Sequence, residues 1–402
     1  MRNERDDPRS LVFLVTSDVT AYAFYRGYLA YLASRGWSLA LITSDSGLLS
    51  RFAEEAGIPV FAINMKRAIS PLRDIGAFWD LYCALRRLRP HGLVYATPKA
   101  SLLGSAVGWL LRVPVREYQL WGLRFESEGG LKRKLLIAAE RATCRLSTHV
   151  VANSRSLARA AKDMGLAKHP VVIGAGSSHG VDLQYFRRDA PAIPAIPRAT
   201  QEFLAEHPGD PVVLFVGRVH RDKGIKTLIS ALESLIRAGD RFVALVVGPN
   251  EDEEAWGALL EMSGRTGQLL VVGPVADVRP YLMVADVLCL PTLREGFPNV
   301  VLEAAAMGIP AVVSDATGAV DSVIDGVTGW IFPVADADVL KARLSDLLND
   351  VEERSRLGVA ALGNVRRNYA SQVIWRQQEE CLAAVMRDRR QRPHRRGRDA
   401  PR

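Results

Sequence analysis

Two glutamates eight positions apart, Glu295 and Glu303, close the run Leu-Arg-Glu-Gly-Phe-Pro-Asn-Val-Val-Leu-Glu at 293–303. The run follows an apolar stretch that reads as a strand, and it opens a helix. Free backbone N–H groups at a helix start, together with the positive end of its dipole, suit a phosphate. Gly296 lets the backbone come close to a ligand. Glu295 lies in the loop and Glu303 about one turn into the helix. Both then face one ligand, and such a carboxylate pair suits the hydroxyls of a sugar and a ribose. Taken singly, Glu295 is a solvated loop charge and Glu303 a helix-start acid. With Gly296, Pro298 and Gly308 around them they read as a site.

A second cluster is Val-Gly-Arg-Val-His-Arg-Asp-Lys-Gly at 216–224. It ends an apolar strand and precedes a helix. Arg218 and Lys223 sit at the C-terminal end of that strand. Arg brings a forked donor and Lys a point charge, and two such cations neutralise a diphosphate without a metal. The plainer alternative is a charged loop capping the helix that begins near Thr227.

The elements that must hold these residues follow from hydrophobic patterning. Leu11–Thr16, Leu39–Thr43, Gly92–Ala96, Pro114–Tyr118 and His149–Ala152 read as strands. Arg26–Arg35, Ile75–Arg89, Leu102–Leu111 and Leu131–Leu146 read as helices between them. This alternation predicts a parallel sheet covered on both faces. Prolines 191, 194, 197, 208 and 211 mark a stiff connector over 187–211. A second series follows, with strands at Val212–Val216, Phe242–Val247, Leu269–Val272, Val287–Pro291 and Ala311–Ser314. Its helices are Thr227–Ala238, Asn299–Met307 and Ala337–Leu348. Gly308 and Pro310 stop the middle one. A last helix over about 372–387 leads into an Arg-rich tail. The expected organisation is a flexible start (1–9), a Rossmann-like domain (10–186) joined by the last helix, the linker, a second Rossmann-like domain (212–371) and a basic tail (388–402). Two doubly wound α/β domains in series place their strand C-termini on either side of a cleft.

Bulk properties narrow the function. Apolar residues make up 48% of the 402 and charged residues 24%, an ordinary globular balance. The net charge is +8, but from Arg387 to Arg402 eight arginines face two aspartates, a net of +6 in the tail alone. A nearly neutral body argues against a nucleic-acid-binding surface. The longest apolar run, Leu102–Leu111, is too short to span a bilayer, which needs ~20 residues. The N-terminus lacks a secretory apolar core. Cys83, Cys144, Cys289 and Cys381 show no CxxC spacing and read as reduced thiols. A cytoplasmic protein is expected.

Taken in order, these motifs resemble the glycosyltransferase family 4 pattern of the GT-B fold. Glu295 and Glu303 match its Glu-x7-Glu spacing, and Gly217, Arg218, Lys223 and Gly224 its Gly-Arg…Lys-Gly element. Gly326, Thr328 and Gly329 look like its later turn, and Gly180-Val181-Asp182 with Phe186 its domain junction. The likeness runs over roughly 10–385. It implies that Arg218 and Lys223 hold the donor diphosphate, that Glu303 meets the ribose, and that Glu295 lies by the sugar hydroxyls. It further implies that the backbone of Phe297, Asn299 and Val300 meets phosphate and sugar, and that Val275 packs the base. Transfer with retention of anomeric configuration is implied, with no metal and no cofactor beyond the nucleotide-sugar substrate. The expected donor is a UDP-sugar, with N-acetylated hexoses among the candidates.

The chain also departs from the pattern. Many members carry a Gly-Gly loop after the first strand, whereas this one has Ser-Asp-Val-Thr-Ala-Tyr at 17–22. The segment after Tyr118 has no His. Trp121–Ser127 and Gly176–Asp182 resemble bacterial envelope polysaccharide transferases. That likeness implies a polyprenyl-diphosphate-linked saccharide as acceptor and makes Arg124, Glu126 and His179 candidates for contacting acceptor or donor. Their plainer alternatives are a salt bridge and a structural histidine. Asp336-Ala-Asp338 precedes a helix, so Asp336 reads as an N-cap rather than a metal ligand. Lys132-Arg133-Lys134, beside Leu135, Leu136 and Ile137, reads either as a solvated face or as a surface for anionic lipid. The second alternative, like the basic tail, suits a peripheral protein at the inner face of the cell membrane. A UDP-sugar epimerase and a non-catalytic scaffold subunit are competing functions for the same scaffold.

Overall fold

The computed structural model describes residues 9–65 and 70–391, and it divides them into two compact units. The first runs to Asn153, takes up 157–174, and resumes at Ile374. Its strands are β1 (Ser10–Ser17), β2 (Ser38–Ser44), β3 (Val60–Ala62), β4 (Gly92–Tyr95), β5 (Val115–Leu120) and β6 (His149–Ala152). Its helices are α1 (Asp18–Ser34), α2 (Leu49–Ala56), α3 (Pro71–Leu88), α4 (Pro98–Leu110), α5 (Gly130–Leu146) and α6 (Arg155–Asp163). The six strands are all parallel, in the order β3-β2-β1-β4-β5-β6.

Alternation along β1 shows how the sheet is covered. Val12 and Leu14 join the core beneath α3 and α4 with Leu81, Leu85 and Val107. Leu11, Phe13 and Val15 join the opposite core with Tyr25, Tyr28, Leu29 and Phe52 from α1 and α2. Successive side chains point to opposite faces, so a strand buried on both reads as a continuous apolar run.

The second unit holds α7 (Arg198–Ala205), β7 (Val212–Val216), α8 (Ile225–Ala238), β8 (Val243–Val247), α9 (Glu253–Thr266) and β9 (Leu269–Gly273). It continues through α10 (Arg279–Val284), β10 (Val287–Leu290), α11 (Asn299–Ala306), β11 (Ala311–Ser314), β12 (Gly329–Phe332), α12 (Ala337–Asn349) and α13 (Val351–Asn368). Its sheet is again six parallel strands, β12-β11-β10-β7-β8-β9. Counted within each unit, both sheets have the order 3-2-1-4-5-6 of the doubly wound fold. The last helix, α14 (Ser371–Gln391), begins in the second unit and ends in the first.

Some elements differ from the sequence reading. The helix expected at 26–35 starts at Asp18, directly after β1. The unit boundary falls at 174/175, ahead of the Pro-rich connector. The 180s belong to the second unit because Val181 pairs with Ala370 and donates its N–H to Tyr369 O at 2.9 Å. The connector carries α7, and Phe186, Ile196 and Phe203 pack against the second core. Of the expected flexible start (1–9) and basic tail (388–402), residues 1–8 and 392–402 lie outside the described residues, whereas 388–391 continue α14.

Candidate active site

In a doubly wound sheet the strand order reverses between the first and fourth strands, and the two loops leaving there diverge to form a ligand crevice. In the second unit those strands are β7 and β10. The loop after β7 carries Gly217 to Gly224, and the loop after β10 carries Pro291 to Pro298. The fold therefore brings the two sequence clusters, more than seventy residues apart, to one switch point.

The loops are stitched together. Leu293 N–H donates to Asp222 O at 2.8 Å, and Thr292 Oγ1 donates to the same oxygen at 3.0 Å. Gly224 is left-handed (φ 67°), and a Cβ there would stand 1.8 Å from Pro291 O, so only glycine fits. Gly318 supports the loop from the β11 side, where a Cβ would lie 2.5 Å from both Glu295 O and Gly296 O. Glu295 N–H donates to Thr317 O at 2.8 Å.

Across this seam the Lys223 ammonium pairs with the Glu295 carboxylate. Their side chains are 17% and 14% exposed, so the pair is partly shielded from water. Arg218 is not brought to that pair. Its guanidinium meets Glu251, and the two side chains are 48% and 41% exposed. The reason is local alternation: Val219 is fully buried and bridges Asn250, so its neighbour Arg218 points outward. Gly217, between them and β7, donates its N–H to Val247 O at 2.9 Å.

The start of α11 is open. Pro298 occupies the N-cap position and offers no side-chain acceptor. The N–H groups of Phe297, Asn299 and Val300 have no protein acceptor among the described residues. The Phe297 ring is buried against Tyr369, with centroids 5.5 Å apart, so its side chain anchors the loop and leaves its backbone available. Gly296 and Pro298 are buried beside it. Glu303, one turn along, is half-buried and has no hydrogen-bond or ion-pair partner among the described residues. Burial alone pushes its carboxyl up to about 7. A buried carboxyl without a partner is costly unless a ligand completes it. Gly308 (φ 74°) ends α11, with Ile309 N–H on Ala304 O at 3.0 Å, as the sequence implied.

His179 is committed to the same helix start. Its Nδ1 meets Gly180 O at 2.8 Å and its Nε2 meets the Asn299 side-chain amide at 2.9 Å. Burial lowers its pKa to about 4, so the ring is neutral, and a proton on Nδ1 leaves Nε2 to accept from Asn299. Ser177 Oγ reaches Asn299 Oδ1 at 3.3 Å and accepts from Gly180 N–H at 3.0 Å. Val275 follows β9 and is half-buried against the second core.

Arg124 and Glu126 lie in the first unit, on a 3-10 turn that follows β5. Both are exposed, and the turn is anchored by buried Leu123 and Phe125. Asp336 caps α12, accepting from Val339 N–H at 2.9 Å. Asp222, Arg294 and Glu251 are site neighbours that the sequence reading passed over. The signal for the first two was present: Asp-Lys in one cluster and Arg-Glu in the other are complementary charge doublets.

Two family models match the chain: that for a glycosyl transferase 4-like domain over 22–176, and that for glycosyl transferases group 1 over 210–350. The capsular polysaccharide biosynthesis glycosyltransferase CapM of Staphylococcus aureus is 28% identical over 371 residues, covering 90% of this chain and 94% of that protein. The UDP-Gal:alpha-D-GlcNAc-diphosphoundecaprenol alpha-1,3-galactosyltransferase of Escherichia coli is 26% identical over 318 residues, covering 76% of this chain and 79% of that protein. Among solved structures, Anabaena Alr3699/HepE in complex with UDP superposes with a TM-score of 0.73 at 19% identity, covering 93% of this chain and 100% of that one. The switch-point loops, two sheets of matching order and two adjoining family matches agree, and the chain belongs to the family 4 glycosyltransferases of GT-B fold.

Proposed function

We propose that the chain moves a sugar, with retention and without a metal, from a nucleoside diphosphate to a polyprenyl-diphosphate-linked saccharide in envelope polysaccharide synthesis. The donor in this reading is a UDP-sugar. The observation that carries it is the partnerless, half-buried Glu303 beside the uncapped start of α11 and the Lys223–Glu295 pair. Glu303 accepts the ribose hydroxyls, the open N–H groups of Phe297, Asn299 and Val300 take phosphate oxygens, and Lys223 balances the diphosphate, while Arg218, paired outward with Glu251, is left out of the scheme. As the anomeric C–O bond breaks, the departing phosphate gains charge that Lys223 and these N–H groups stabilise. The acceptor oxygen bonds to the anomeric carbon on the same face, and its proton passes to the leaving phosphate oxygen. Glu303 is given to the ribose, so a glycosidase-like carboxylate pair is not invoked.

The acceptor class is supported by the names of relatives, which include a diacetylbacillosaminyl-diphospho-undecaprenol N-acetylgalactosaminyltransferase of Campylobacter jejuni, 25% identical over 358 residues. The test is UDP release that requires both donor and lipid-linked saccharide. We expect Lys223→Ala and Glu295→Ala to lower it by roughly 10²–10³-fold with folding intact. Turnover at wild-type level in both would remove the site assignment. Mass-neutral conversion of a UDP-sugar without acceptor would favour an epimerase instead.

Peripheral membrane association belongs to the same proposal. Leu131 and Leu135 on α5 are 72% and 62% exposed, flanked by exposed Lys132, Arg133 and Lys134. No helix among the described residues is long and apolar enough to cross a membrane. Exposed leucines set between cations suit an anionic interface.

A further inference from the structure

The seam between the two switch-point loops holds two ion pairs, made by adjacent residues on each side. Lys223 meets Glu295, and one step back Asp222 meets Arg294 at 2.6 Å. The Asp222 side chain is 7% exposed and that of Arg294 22%. Asp222 is held from three directions. Its carboxylate takes Arg294, its carbonyl takes Leu293 N–H and Thr292 Oγ1, and its own N–H donates to His220 Nδ1 at 3.2 Å. Removing one partner of such a pair leaves a largely buried charge uncompensated, which favours a shift of the loop.

We infer that Asp222 and Arg294 are positioning residues, which set the register of the two loops so that the Lys223 ammonium stands opposite Glu295. The inference rests on the reading of Lys223 as the diphosphate cation. Neighbouring Cα atoms are about 3.8 Å apart, so a loop that slips at Arg294 carries Glu295 with it. A misplacement of about 1 Å costs up to about 10²-fold in rate. The pair touches neither donor nor acceptor in this scheme and acts through its neighbours.

The test uses the full chain with Asp222→Asn, Arg294→Gln, Arg294→Lys and the double variant Asp222→Asn/Arg294→Gln. Measured quantities are kcat and donor KM for UDP release, UDP affinity by calorimetry, and the rate of Lys223 acetylation by acetic anhydride relative to exposed Lys226. Each charge-removing single variant should lower kcat about 10–100-fold, with donor KM moving less than about threefold. The double variant should be no worse than the poorer single one, because both break one device. Arg294→Lys should retain more turnover than Arg294→Gln, and Lys223 should be labelled faster in both charge-removing singles. Variants that only melt earlier, with kcat and Lys223 labelling unchanged, would overturn the inference, as would multiplicative losses in the double. A wild-type chain that binds no UDP would remove the diphosphate reading of Lys223. The labelling rates would then still decide whether the pair sets the Lys223 position.

Discussion

The proposed ribose role of Glu303 ties donor binding to its charge state. Its carboxyl is raised to about 7 by burial, and in the proposed role it would accept ribose hydroxyls best when ionised. Donor KM should therefore fall as pH rises from 6 to 8, and Glu303→Gln should flatten that profile. A wild-type KM that is level across the range would count against the ribose assignment. Glu117, on β5, is likewise raised to about 7 by burial, and one of its carboxylate oxygens has no partner. Its folded-state pKa lies above the unfolded value of about 4.3, so its contribution to stability is complete below that value and is lost as pH climbs through 7. Glu117→Gln should raise the thermal midpoint by a few degrees at pH 8 and leave it unchanged at pH 5. His179 has the opposite sign. Its folded pKa of about 4 lies below the usual 6.5, so its contribution is complete above 6.5 and lost as pH falls towards 4.

At the scale of elements, the loop and helix-end devices carry the site. Gly224→Ala forces a Cβ against Pro291 O and strains a left-handed residue, so it should lower the midpoint markedly and uncouple the loops. Asp336→Ala removes a helix cap worth about 1 kcal/mol and should lower the midpoint by a few degrees without altering kcat. How far the sequence revealed these elements follows from their burial. Strands such as β7 and β8, apolar on both faces, were legible as runs, and α11 was legible from its Gly308 stop. The helix α13 was not, because only Leu357, Gly358, Ala361 and Val365 are buried along its 18 residues, too thin a stripe among Arg and Glu. The strand β3 has three residues and no periodicity to read. Within the candidate site, spacing singled out Lys223 and Glu295, which the fold brings together. The outward turn of Arg218 depends on the bridge between Val219 and Asn250, and no one-dimensional pattern encodes it.

For the molecule as a whole, the proposed membrane association rests on charge and on exposed apolar surface. Binding to anionic vesicles should weaken with added salt, and Leu131→Glu/Leu135→Glu should reduce it further while kcat on a soluble acceptor analogue stays level. Equal binding to neutral and anionic vesicles would sink the electrostatic part of that expectation. UDP should raise the melting temperature of the second unit, since it favours the folded form by mass action.

The last helix has a consequence for how the chain is made. Leu382 and Met386 belong to the core shared by β1, α1 and α2, Trp37 and Tyr31 donate to Glu379, and Trp375 packs over Gly27. The first unit to leave the ribosome is thus among the last to be completed, because the side chains that close its core are translated about 370 residues after the strand they cover. Nascent chains stalled before Ile374 should expose the α1 flank to proteases and chaperones, while the second unit, whose own strands and helices are by then all synthesised, should already resist them.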